Sequence, residues 1–422
     1  MTPRVFVPWC AALLFAAGWP ALARESAPGT DLAGVLAHAR AHHPGFAAER
    51  LEAAAAQAGA QAAGALPDPR FTLELMDVNN AMNGRERFSA LPGEVGETRY
   101  RIEQMLPWPG KRALEAQSAT ARADARGATV EAEWRELAGT LKNAWLRYWA
   151  AHREQALYRE QLDLAEALED AALARYRSGA GDQQAVLRAQ GERTELRIAL
   201  TLAEQKLAGA SAALNGLLDR PADAALAAPG EAPPLPARVD HAALFERLSA
   251  THPALAAQAR QIDAATAERE RARLERYPDF GVGLTYNRPR GGTESWDLML
   301  EVNIPLQRAP RQAREREAAY LREAAEARLG AEQARLRGAL GAAVATLRGA
   351  AERETLTTRT LLPQRDAAFE ATRAAYAAGR ADFDAVLEAW RRAREGRLAA
   401  LEAGVEARMA LFELQTLAGE EL

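Results

Sequence analysis

The sequence predicts a mainly α-helical protein with a small transmembrane β part, built from one unit used twice: helix, strand, strand, very long helix, helix. Three observations carry this reading. Two stretches of some sixty residues, from Ala113 to Tyr176 and from Gln312 towards Tyr376, keep a helical period. Four short segments alternate apolar and polar side chains as strands do. And residues 175–187, RYRSGAGDQQAVL, return in register at 375–387, AYAAGRADFDAVL: Tyr176, Gly179, Asp182, Ala185, Val186 and Leu187 recur as Tyr376, Gly379, Asp382, Ala385, Val386 and Leu387.

Composition supports helices. Hydrophobic residues make up 48% of the chain, about half of them alanine, and aromatics only 6%, which suits closely packed helices better than a thick globular core. A net charge of −4 argues against a general nucleic-acid binder. Arg4, the apolar run Val5 to Ala17 and Ala21-Leu22-Ala23 read as an export signal over residues 1–23, so the mature chain is expected to begin near Arg24. The single cysteine, Cys10, lies inside that run and no lipobox ends at it, so neither a disulfide nor an N-terminal lipid is expected. No later stretch offers eighteen consecutive apolar residues, which excludes transmembrane helices but not transmembrane strands of about 9–11 alternating residues.

The first repeat covers residues 24–217. Its opening helical pattern breaks at His42-His43-Pro44 and stops at Leu66-Pro67-Asp68-Pro69. Strands follow at about 70–77, where Phe71, Leu73 and Leu75 alternate with polar residues, and at 97–106, with Tyr100 and Ile102, across a polar loop. The run Leu106-Pro107-Trp108-Pro109-Gly110-Lys111-Arg112 ends the pair, since two prolines stop strand pairing and Trp108 suits a membrane boundary. In the long helix, Trp134, Ala138, Leu141, Trp145 and Tyr148 are spaced as a coiled-coil seam. A tip at about 176–182 turns into a return helix: Gly179 stands where a left-handed residue ends a helix, and Asp182 can cap the next.

Residues 218–239 form a Pro/Ala-rich connector, and the second repeat occupies 240–422. His252-Pro253 echoes His43-Pro44, and Tyr277-Pro278-Asp279-Phe280 echoes the first strand entry. Strands at about 279–287 and 295–304 end at Pro305 to Arg311, Pro310 included. Leu336, Leu340, Ala343 and Leu347 keep a heptad-like spacing in the second long helix, which Pro363 should kink, and a second tip lies at about 376–382. If the apolar strand faces look out to lipid, bounded by Trp108, Tyr286 and Trp296, only a closed barrel satisfies the backbone. Four strands cannot close one, so copies must share it; the alternative is a soluble sheet packed on helices.

In order and duplication, these motifs resemble the TolC-like outer-membrane efflux factors of Gram-negative bacteria, over essentially the whole mature chain. The paired strand entries, the LPWPGKR exit and the twin Y-x-x-G tips carry the resemblance. It implies a homotrimer with a shared twelve-stranded β-barrel in outer-membrane lipid and a long periplasmic α-helical barrel, the outer-membrane channel of a tripartite efflux system. Its partners would be a periplasmic adaptor and an inner-membrane pump of the RND type. By that resemblance Tyr176, Gly179 and Asp182, with Tyr376, Gly379, Arg380, Asp382 and Asp384, form the gate and adaptor-docking tips. Pro107, Trp108, Pro109, Gly110, Pro305 and Pro310 mark the strand-to-helix transition at the membrane boundary. The form of the strand exit looks most like the branch found with heavy-metal efflux pumps.

Type I protein secretion fits the same conduit, and a periplasmic coiled-coil adaptor without a pore is the rival of another class. No G-x-S-x-G, H-E-x-x-H, P-loop or paired-Cys motif is present, so no enzyme and no cofactor are expected. No metal site is expected either: His42-His43 reads as a helix break, and Met76, Met82 and Met105 as barrel or loop packing.

Overall fold

The computed structural model describes residues 28–84 and 87–419, so the export signal expected at 1–23, with Arg4 and Cys10, lies outside the described residues. The first half contains α1 (Leu32–His42), α2 (Pro44–Ala62), β1 (Arg70–Met76), β2 (Glu97–Leu106), α3 (Lys111–Arg177) and α4 (Gln183–Leu217). The second contains α5 (His241–Thr251), α6 (Pro253–Leu274), β3 (Asp279–Pro289), β4 (Ser295–Asn303), α7 (Arg308–Leu356), α8 (Leu362–Ala377) and α9 (Phe383–Ala418). At 67 residues, α3 is about 100 Å long.

Both histidine breaks have one cause. The Nδ1 of His43 accepts the Phe46 N–H at 3.1 Å and that of His252 accepts the Ala254 N–H at 3.3 Å, so each ring caps the helix that its following proline opens. Proline is suited to that first position, where its missing N–H is not needed.

The seam on α3 packs on the long helices α4 and α9 and also takes in α1. Leu141, Trp145 and Tyr148 are buried against Val35 and Ala39 of α1, Leu214 of α4 and Phe412 of α9. Buried Trp and Tyr need partners for their polar tips. The connector and the segment before α1 supply them: Trp145 Nε1 donates to the Gly29 carbonyl (2.8 Å), Tyr148 Oη to that of Ala227 (3.1 Å) and Trp149 Nε1 to that of Gly230 (3.0 Å). The same connector pairs with the chain start, through Ala227 N–H to Pro28 O and Gly230 N–H to Thr30 O.

In the second half, Leu336, Leu340, Ala343 and Leu347 form a core with Leu244 and Leu248 of α5 and Leu411 and Leu414 of α9. Two details of α7 correct the sequence reading. The helix begins at Arg308, so Pro310 lies inside its first turn, where a missing N–H costs no hydrogen bond. And the irregularity attributed to Pro363 falls before it, as a π-helical turn over Thr357–Leu361. Proline cannot donate to the carbonyl four residues earlier, here Arg359, and its ring crowds that group; a wider turn relieves both.

Candidate functional site

The four strands form one antiparallel sheet in the order β1-β2-β3-β4, leaving β1 and β4 as open edges. The register sorts side chains by face. Phe71, Ile102, Leu284 and Leu298 lie in one row across the sheet, and Leu106, Phe280 and Val302 in another. This apolar face is uncovered: Phe71 is 65%, Leu298 70% and Leu300 73% exposed. The opposite face is polar. There Arg101 donates from Nε to Thr285 Oγ1 (3.2 Å) and pairs with Glu74 (3.7 Å), and the Asn287 amide donates to Asp297.

Aromatic residues bound the apolar face at both ends, where the sequence reading had grouped Trp108 with Tyr286 and Trp296. Tyr100, Tyr286 and Trp296 are row neighbours at the loop end, with ring centroids 6.0 and 5.0 Å apart. Trp108 stacks on Tyr277 at 4.8 Å and lies 6.0 Å from Phe280 at the helix end. Tyr286 and Phe280 are six residues apart on β3, about 20 Å, close to the apolar height of an outer-membrane barrel wall.

At the strand-to-helix transition, the second half's entry motif grips the first half's exit motif. Asp279 Oδ1 accepts the Trp108 N–H and the Lys111 Nζ, both at 2.7 Å, and Lys111 also donates to the Tyr277 carbonyl at 3.2 Å. Pro107 and Pro109 flank the tryptophan. Gly110 takes φ +94°, and a Cβ there would meet a Leu274 methyl at 3.1 Å. The reciprocal pair is not brought together within the chain. Asp68 is exposed, Leu306 beside Pro305 is 80% exposed, and among the described residues neither Asp68 nor Arg308 has an ion-pair partner.

The two tips are superimposable in their bonding. Gly179 and Gly379 both have φ +73° and donate to the carbonyls of Tyr176 and Tyr376 at 3.0 Å. The next residues close six-residue turns: Ala180 N–H to Arg175 O at 3.0 Å, Arg380 N–H to Ala375 O at 2.8 Å. Asp182 and Asp382 accept the Ala185 and Ala385 N–H groups, each at 2.8 Å. These are helix caps. Among the described residues neither Arg380 nor Asp382 forms an ion pair.

Other groups join the tips. Arg175 Nη1 donates to the Tyr376 carbonyl at 2.8 Å with its guanidinium carbon 4.5 Å from the Tyr376 ring centroid, and that ring meets Phe383 edge-on. Arg188 pairs with Asp384. Behind them, Glu192, only 1% exposed, accepts from Arg391 Nε at 2.6 Å and lies 3.5 Å from Arg394 Nη1; this hydrogen bonding raises the Arg391 pKa above its ordinary value. Sequence reasoning missed Arg175 because its partner lies 201 residues away; its place one residue before Tyr176 was the available hint.

Among the described residues, no helix is long and apolar enough to cross a membrane, and no group of three or more His, Cys, Asp or Glu side chains is placed to hold a metal ion. The family described as outer membrane efflux protein matches residues 35–220 and 244–420. No curated protein sequence matches the chain. Several solved structures share its fold. A membrane protein from Pseudomonas aeruginosa is 19% identical with TM-score 0.76, over 99% of this chain and 97% of that one. The outer membrane protein VceC from Vibrio cholerae is 17% identical with TM-score 0.74, over 92% and 96%. The outer membrane channel MtrE of Neisseria gonorrhoeae, solved in its open state, is 16% identical with TM-score 0.74, over 94% and 90%.

Proposed function

Because the chain belongs to the outer membrane efflux protein family, we propose that it is the passive outer-membrane conduit of a tripartite efflux system. The observation that carries this is the sheet: one uncovered apolar face between two aromatic belts, two open edges, and a helix of about 100 Å leading away from it. In lipid an open edge is not tolerated, so β4 of one copy pairs with β1 of the next, and three copies close a barrel of twelve strands. The polar face then lines a wet lumen.

On this reading residues 1–23 are a cleaved export signal, the mature protein carries no lipid, and 24–217 and 240–422 are the two repeats joined by 218–239. The tips lie at the periplasmic end, where an adaptor coupled to an inner-membrane pump of the RND type docks. Tyr176, Gly179 and Asp182, with Tyr376, Gly379, Arg380, Asp382 and Asp384, form that surface; Arg175 belongs with them. Arg380 and Asp382 then find their charged partners on neighbouring tips, and the ring holds the mouth closed. A single exposed pair is worth about 0–1 kcal/mol, so the latch needs the whole ring. The cargo is small, heavy-metal cations included.

Single-channel recording of purified oligomers in planar bilayers tests both parts. The wild type should show a small closed-state conductance, and Arg175→Ala with Arg380→Ala should raise it severalfold. An unchanged closed state would overturn the latch, and no conductance in either protein would overturn the conduit.

A further inference from the structure

The polar face of the sheet carries long apolar side chains of one kind only. Every Leu, Ile, Val, Phe, Tyr and Trp of the four strands lies on the apolar face, yet all three strand methionines, Met76, Met105 and Met299, lie on the polar one. A hydrophobic residue selected for burial would be on the other side. The sequence holds only five methionines after Met1, so three on one wet wall is a concentration.

Two of them converge. Across β3, Met105 faces Gly281 and Glu301, and in the adjacent row Glu103 faces Gly283 and Met299. The glycines leave room that the sulfur side chains fill. The Met105 Sδ lies 3.3 Å, and a Glu301 carboxylate oxygen 3.4 Å, from the point where a Cβ of Gly281 would stand; the Met299 Cε lies 3.0 Å from the corresponding point of Gly283. Gly281 and Gly283 are same-face neighbours, about 7 Å apart along the strand. The two thioethers therefore hang over adjacent bare patches of backbone, each with a carboxylate in its own row. Three rotatable bonds give each methionine the reach to close on a shared ion.

We propose that Met105 and Met299, with Glu301 and Glu103 supplying negative charge, form a weak lumenal site for a soft monovalent cation, Cu(I) or Ag(I). Thioethers select such ions over Zn(II) and other harder cations. The site suits transit rather than storage: two neutral sulfurs and flanking carboxylates hold an ion loosely enough to pass it on, which a conduit requires. It deepens the conduit reading, resting on the assignment of this face to the lumen.

The test uses the full-length protein purified as its oligomer, with Ag(I) in chloride-free buffer as the probe and isothermal calorimetry as the readout. Wild type and the remote control Met409→Leu should bind Ag(I) alike. Met105→Leu with Met299→Leu, which conserves side-chain volume, should bind at least tenfold more weakly, and Glu301→Gln severalfold more weakly. Equal Ag(I) affinity in the wild type and the double leucine variant would overturn the site. In parallel, Asp297→Cys in outer-membrane vesicles is offered a water-borne and a lipid-phase thiol reagent. Labelling from water together with methionine-independent Ag(I) binding sinks the metal site alone; labelling only from lipid removes the lumen beneath it.

Discussion

His252 shows how one side chain can tie the stability of this protein to pH. Its Nδ1 must be unprotonated to accept the Ala254 N–H, and its surroundings enforce this: burial, then the positive charge of Arg135, lower its pKa, with Arg335 adding to that and Glu332 opposing it. A depressed histidine contributes stability that is complete above its unfolded value of about 6.5 and is lost as pH falls through the folded one, because the unfolded chain takes up the proton first. The thermal midpoint of the purified oligomer should therefore drop between pH 7.5 and 5.5. In His252→Asn, which keeps a capping acceptor without a titrating ring, part of that drop should vanish; an identical drop would show that other groups set the acid sensitivity. The same scale shows what a sequence can reveal. The left-handed glycines and capping aspartates of the tips are dictated by neighbours within three residues, so Gly379 and Asp382 were legible. Arg175 against Tyr376 and Arg188 against Asp384 depend on how helices some two hundred residues apart come together, which no local pattern encodes.

Among the elements, the strands were legible almost to the residue because an apolar face opposite a polar one forces strict alternation. The interrupted helix of the second half was legible only as a proline. From Pro305 to Gly379 the chain is two residues longer than from Pro107 to Gly179, yet the two tips come level, with Tyr376 packed on Arg175. The π-turn at Thr357–Leu361 takes up one of those two residues, while α3 runs unbroken over 67 residues. A π-turn carries one residue more than an α-helical ladder needs, so deleting Thr358 should restore a regular helix and leave Phe369 in its core. Deleting Asp163 from α3 instead rotates everything beyond it by about 100°, turning Leu168 and Ala172 out of the same core. Heat resistance of the oligomer on gels should stay near wild type for the first deletion and be lost for the second. The reverse order would mean that the wide turn is itself required.

At the scale of the whole molecule, duplication makes a demand that one chain cannot meet. The entry motif of the second half, through Asp279, holds the backbone of Trp108 and the ammonium of Lys111 in the exit motif of the first. The equivalent entry carboxylate, Asp68, and the body of the equivalent exit, Leu306 to Pro310, are both left exposed. If three copies alternate first and second halves around a ring, each second exit meets the first entry of the next copy. Asp68 of one copy should then receive the Arg308 guanidinium of its neighbour. Such a contact excludes water on closure, so its loss should cost more than the about 0–1 kcal/mol of an exposed pair. Asp68→Arg alone should lower the yield of heat-modifiable oligomer in the outer membrane, and Arg308→Asp alone should do the same. The two together restore opposite charges across the junction and should recover assembly. Asp279→Ala provides the internal reference, since it breaks the equivalent contact within one chain and no change at residue 68 or 308 can rescue it. A double variant no better assembled than either single one would mean that the copies do not continue the alternation seen inside the chain.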